Sequence, residues 1–295
     1  MNKVKHCGNL GFNTYTQLYE SGVCPVSDYA SGVWGFREYA SCNNVHHRAI
    51  RSFLGVHKLT PVLAINGDIG WEPPSIRHKS QMVRLWNRLV KMSDERLTKK
   101  IFNWDLRNGH PWSNEMRSLF YSNDLFFIFQ NKLQCSVHQI RNVMFSRYKE
   151  NWSRELWYKP KLRTYCLIKN TYNVEPYVEY NSNRRQRSLC AQIRSGTLPL
   201  ALETGRFNAT PEEQRYCLFC ELGEIENEVH FLFYCPKYDD IRESLVTKMS
   251  SICEDFLDLN DYEKMELCFD KGTFAVSDFI CQAWEKRQCT LYNSV

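Results

Sequence analysis

No window of this 295-residue chain approaches the roughly 18 apolar residues that a membrane-spanning helix needs; LFFIF at 125–129 is among its longest apolar runs. No membrane partner is therefore expected. The start, MNKVKHCGNLGF, has two lysines and no apolar stretch of signal-peptide length behind them. That pattern suits an intracellular protein of cytoplasm or nucleus, not a secreted one. There is no internal repeat, no low-complexity tract and no Gly/Ser linker, so neither a repeat array nor a flexible tether is expected. What is present is an ordinary hydrophobic fraction of 43%, enough for a buried core. Thirteen cysteines, an odd number spread from Cys7 to Cys289, fit reduced thiols better than a disulfide framework.

The net charge of +5 conceals an asymmetry: residues 1–140 carry +7, residues 141–200 carry +8 and residues 201–295 carry −10. A basic block beside an acidic one is the shape of a polyanion-binding segment with an acidic neighbour. A solvated basic helical surface has the same signature, and charge alone does not separate the two.

Helical periodicity dominates, so the expected fold class is mainly α: helical segments followed by a small CCHC zinc knuckle. Ala49, Ile50, Phe53 and Leu54 form a stripe that stops at Gly55. The spacing predicts one helix over 80–102, with Met82, Leu85, Trp86, Leu89 and Val90 on one face and Arg84, Arg88 and Lys91 outside it. Ile140, Met144, Tyr148, Trp152 and Leu156 recur every four residues. TPVLAIN (60–66) reads as a short, isolated strand candidate. YKPKL (158–162) interrupts the pattern, because Pro160 biases Lys159 away from helical geometry. Three regions follow: 1–157 helical, 158–245 basic helix plus zinc module, and 246–295 an acidic helical tail.

The sharpest local signal is CLFCELGEIENEVHFLFYC, residues 217–235. Cys217 and Cys220 stand as Cys-x2-Cys, which delivers two thiolates from one tight loop; His230 and Cys235 follow after nine and four intervening residues. Five positions along an α-helix are about 500° of rotation, ~140° off a common face, so His230 and Cys235 cannot share one continuous α-helix and face one ion. Pro236 resolves this by pushing Cys235 out of helical geometry. The expected cofactor is one structural Zn2+ per chain, held by Cys217, Cys220, His230 and Cys235. A site closed by four protein ligands leaves no metal-bound water, so this zinc would do no chemistry. Glu226, four residues before His230, is placed to accept the free imidazole N–H as an outer partner, or is simply a solvated acid.

Upstream, NRRQRSLCAQIRSG (183–196) reads as a helix stopped by Gly196 and Pro199. Arg184, Arg187 and Arg194 form a basic stripe with Leu189 and Ile193 opposite, and Arg185 lies beside it. Lys159, Lys161 and Arg163 interleave with Tyr158 and Tyr165. Basic groups for phosphates with aromatic rings for bases are the materials of single-strand binding. The expected partner is RNA or single-stranded DNA.

KLRTYCLIKNTYNVEPYV, RRQRSLCAQIRSGTLPLALETGRF and YCLFCELGEIENEVHFLFYCPKYDDIRESL together resemble the C-terminal region of non-LTR (LINE-type) retrotransposon reverse transcriptases, with its zinc-binding knuckle. The shared pattern is Cys-x2-Cys, Glu-x3-His, x4-Cys-Pro, then Tyr-x3-Arg-x2-Leu. Residues from about 10 onward resemble the thumb and thumb-to-knuckle linker more loosely; 246–295 resemble nothing nameable. The resemblance implies a nucleic-acid-binding fragment. It does not imply an enzyme, because the Tyr/Phe-x-Asp-Asp turn that holds two magnesium ions is missing. The lone Asp239-Asp240 pair has the wrong context, and Pro-Asp and Glu-x-Lys nuclease pairs are absent. No catalytic residue and no small-molecule substrate are expected. The alternative class is a zinc-structured protein–protein interaction module without nucleic-acid binding.

Overall fold

The computed structural model describes residues 10–180 and 183–292. Among them there are helices and turns, one isolated antiparallel bridge (Tyr216 with Ile225) and no strand. The chain is mainly α. TPVLAIN is not a strand: Pro61 caps the helix Val62–Ile69, in which Ala64, Ile65 and Ile69 are buried.

Two compact units divide the chain, and the division differs from the three consecutive regions expected. One comprises residues 16–48 and 72–152; the other joins 1–15, 49–71 and 153–295. Long-range packing, invisible to local composition, sets these boundaries.

The unit containing residues 72–152 is organised around Trp86. Its indole meets Phe102 and Phe120 edge-on, at centroid distances of 5.5 and 5.2 Å, and stacks on Phe129 at 5.5 Å. The indole N–H donates to the Leu133 carbonyl (2.9 Å). Met82 and Leu89 are buried beside it, with Leu85 and Val90 half-buried, while Arg84, Arg88 and Lys91 are exposed, as the periodicity predicts. The single helix expected over 80–102 is two. One runs Pro74–Lys91, opened by proline at a position where a missing N–H costs nothing. Met92 is extended, and Leu97–Asn108 is a second helix. The break is fixed by buried Lys99, whose ammonium donates to the Leu89 and Val90 carbonyls at 2.9 and 2.8 Å, meeting acceptors of the last helical turn that lack an i+4 helical donor.

In the other unit, Ala49, Ile50, Phe53 and Leu54 are buried where the helix Ala40–Leu54 ends. The chain leaves the helix Val137–Leu156, passes Lys159 in extended geometry and makes a short 3-10 turn at Pro160–Leu162. Of the segment 246–295, expected as an acidic tail, the described residues 246–292 are packed into the unit. The helix Thr273–Tyr292 packs against Arg184–Arg194, Asp239–Ile252 and Asp261–Asp270, burying Val276, Phe279, Ile280 and Ala283.

Candidate metal centre

Cys217, Cys220, His230 and Cys235 come together, with their donor atoms all within 4.8 Å of one another. Cys217 Sγ lies 3.8 Å from Cys235 Sγ, and Cys220 Sγ 3.5 Å from His230 Nε2. A tetrahedron with zinc-like bond lengths has edges of about 3.8 Å between two sulfurs and about 3.6 Å between sulfur and nitrogen. These two of the six separations match those edges, and all six lie within 4.8 Å. Cys217, His230 and Cys235 are buried and Cys220 is half-buried.

Local backbone chemistry explains the convergence. The bridge between Tyr216 and Ile225 is closed by Cys217 N–H to Glu224 O (2.8 Å) and Glu226 N–H to Arg215 O (3.0 Å), which turns the Cys-x2-Cys loop back on itself. Within it, the Phe219 N–H donates to Cys217 Sγ at 3.4 Å. The Asn227 side chain accepts the His230 N–H (2.8 Å) and starts a single π-helical turn, His230–Tyr234. The Cys235 N–H closes that turn on the His230 carbonyl (2.8 Å). A π-helix closes each hydrogen bond over five residues instead of four, a wider turn that brings residues five apart nearer to a common side than an α-helix does. Cys235 itself is extended (φ −66°, ψ 117°), directly before Pro236. Proline and the π-turn together solve the angular problem that an α-helix could not.

The thiols already compete for protons. The hydrogen bond between Cys217 and Cys235, then burial, pushes the Cys217 thiol up to about 12; the same bond lowers Cys235. A divalent cation at their centre would take the place of those protons. The donor set is soft, four-fold and compact, the character of a structural zinc site and not of a magnesium or calcium one.

Glu226 is not on the His230 helix; it lies in the loop before it and faces elsewhere. It is 1% exposed. One oxygen accepts the Ala201 N–H at 2.7 Å, and the Cys217 thiol donates to the other across 3.7 Å. Arg287, from the helix Thr273–Tyr292, grips both carboxylate oxygens and lies 4.1 Å over the Phe219 ring. Sequence reasoning missed Arg287 entirely. It also missed buried Arg242, which donates to the carbonyls of Leu232 (2.9 Å) and Cys235 (2.7 Å). The signal for Arg242 was present in the Tyr-x3-Arg-x2-Leu run: Tyr238, Arg242 and Leu245 are all buried.

The basic stripe is corrected. Arg187 is 2% exposed; its Nε donates to the Phe53 carbonyl (2.9 Å) and its guanidinium lies 3.9 Å over the Phe53 ring. Arg194 is fully enclosed and bonds Asp68 (3.2 Å) and Glu175 (2.8 Å). Neither can reach a phosphate. The helix ends at Arg194 and is capped by Ser195; next comes Gly196, whose φ of +62° and whose approach to the Lys161 carbonyl leave no room for a side chain. Lys161 pairs with Glu203 at 2.5 Å, and Arg163 with Glu228 at 3.1 Å. Arg185 is exposed and pairs with Glu285 at 2.9 Å, while Arg184 and Lys159 are exposed. Arg184 and Arg185 border a groove of about 710 Å³ that also takes in Asn183, Ser188, Trp284 and Gln288. Among the described residues, no helix is long and apolar enough to cross a membrane.

No protein-family model, curated protein or solved structure matches the chain.

Proposed function

We propose that this chain is a non-catalytic, zinc-structured nucleic-acid-binding module, corresponding to the C-terminal thumb-to-knuckle part of a LINE-type reverse transcriptase. The observation that carries the reading is the convergence of the donor atoms of Cys217, Cys220, His230 and Cys235 to within 4.8 Å of one another, with two separations at the edge length of a zinc tetrahedron. The small CCHC knuckle holds the segment 200–245 together, and the zinc takes no part in chemistry. RNA or single-stranded DNA follows the groove bordered by Arg184 and Arg185, where exposed guanidiniums can meet phosphates and Trp284 supplies an aromatic wall.

The burial of Arg187 and Arg194 favours a second reading, a zinc-stabilised protein-interaction platform, because it removes two of the three stripe cations. Salt dependence separates the two. Arg184→Gln/Arg185→Gln should leave the melting temperature unchanged, since both side chains are exposed. It should also make log K against log salt shallower by about 1.4 on single strands, ~0.7 for each phosphate no longer neutralised. Binding of RNA and single-stranded DNA identical to wild type at every salt concentration would remove this groove from the account and leave the interaction platform leading.

A further inference from the structure

The outer face of the helix Pro74–Lys91 carries a site that depends on neither the cysteines nor the Arg184 groove. Arg84 and Arg88 stand one turn apart and are exposed. Neither makes an ion pair or hydrogen bond with another described residue. With Gln81 and Leu85 they form one wall of a pocket of about 390 Å³; Asp28 and residues 30–33 form the other.

That second wall is held rigidly. Asp28 accepts from Arg77 Nε (2.8 Å), His78 Nε2 (3.0 Å) and Ser27 Oγ (2.9 Å). The Ser31 N–H donates to the Asp28 carbonyl (3.0 Å), and the Trp112 indole N–H to the Gly32 carbonyl (2.7 Å). At Gly32 a Cβ would lie 3.0 Å from the Gln81 carbonyl oxygen, so the two walls approach as closely as they do because no side chain is there.

Two features of this pocket ask for an anion. The Asp28 charge is already balanced by Arg77, which leaves the guanidiniums of Arg84 and Arg88 in surplus at the rim. Burial opposes ionisation of Asp28, but the bonds from His78 and Arg77 outweigh it and bring its carboxyl down to about 2, so the balance holds at neutral pH. The second feature is Ser31, 1% exposed, whose hydroxyl has no hydrogen-bond partner. An orphaned buried hydroxyl is destabilising unless something satisfies it.

We propose that this pocket binds a phosphate group, held between the guanidiniums of Arg84 and Arg88, with the Ser31 hydroxyl as the third donor. Planar guanidiniums match phosphate oxygens in pairs. The volume falls in the range of about 300–1,000 Å³ typical of small-molecule sites, which leaves space for a group esterified to the phosphate. The same chemistry is offered by a free phosphate ester and by a phosphodiester backbone.

Calorimetric titration of the full chain with inorganic phosphate, and separately with a single-stranded oligonucleotide, tests the site. Arg84→Gln/Arg88→Gln is expected to weaken phosphate binding about tenfold per arginine with no change in melting temperature, because both side chains are exposed. Ser31→Ala, which removes an unsatisfied group without adding volume, should weaken it as well. Oligonucleotide affinity falling in parallel would assign the site to a nucleic-acid backbone. Unchanged oligonucleotide affinity would assign it to a free phosphate ester. No phosphate uptake by wild type, or uptake unaffected by the arginine replacements, overturns the proposal.

Discussion

Arg194→Met is expected to destabilise the protein by about 3–5 kcal/mol, the cost of removing one partner from a buried ion pair. Against a total of about 5–15 kcal/mol for an ordinary domain, that is a large share. Arg194 is 0% exposed and faces Asp68 and Glu175, which are 2% and 8% exposed. Around this core, the Tyr165 and Tyr177 hydroxyls donate to Asp68 at 2.9 and 2.5 Å. Lys169 pairs with Glu175 and donates to the Asn173 carbonyl at 2.8 Å. Two cations thus balance two carboxylates. The guanidinium also lies against the rings of Tyr165, Tyr177 and Phe269, at 5.7, 5.4 and 5.3 Å. Without Arg194, a carboxylate remains in an apolar surrounding with no compensating charge. Adding Asp68→Asn to Arg194→Met should recover part of the stability, since it removes the stranded charge. Urea denaturation midpoints read both effects. Wild-type stability in the single variant would return Arg194 to the surface, and to the phosphate-binding stripe that its spacing suggests.

Arg287→Met is expected to weaken metal binding by about tenfold, the lower end of the effect of removing a ligand's outer partner, because it acts through Glu226, the partner of Cys217, and to destabilise the unit as well. Glu226 is buried and meets Arg287 through both oxygens. Left alone, its charge would lie beside the Cys217 thiol and disfavour loss of that proton, which metal binding requires. The Phe219 ring would no longer have the guanidinium that covers the Cys-x2-Cys turn. Glu226→Gln in the same background should restore affinity in part. Competition against a chromophoric chelator gives the number. Equal affinity in wild type and Arg287→Met would show that the helix Thr273–Tyr292 supports the centre by packing alone.

Much of this was legible in the sequence because it is local. The stripe at Ala49, Ile50, Phe53 and Leu54, the surface of the Trp86 helix and the departure of Cys235 from helical geometry before Pro236 all follow from spacing within a few residues. The Cys-x2-Cys, His and Cys arrangement belongs to the same class, and its donor atoms converge. What failed depends on distance along the chain. Arg194 and Asp68 are 126 residues apart, and nothing near Arg194 announces a buried carboxylate; arginines spaced three and seven along a helix look like a solvated face whatever lies opposite. Glu226 was assigned by position on a helix that is not there, because its true partner, Arg287, is 61 residues away. The break after Lys91 was hidden for a related reason: Lys99 is turned inward to hold the Leu89 and Val90 carbonyls, and nothing in its spacing distinguishes it from a surface lysine.

The central claim, that Cys217, Cys220, His230 and Cys235 hold one structural zinc, is tested most directly by elemental analysis of the purified chain beside Cys220→Ser. Cys220 is the half-buried member of the set, so its replacement removes a ligand with the least damage to packing. One zinc per chain in wild type is expected, with a marked decrease in the variant. Stripping the metal with a chelator should abolish hydrogen-exchange protection over residues 200–245. Well under one equivalent in wild type, with Cys220→Ser indistinguishable from it in metal content and in protection, would contradict the account.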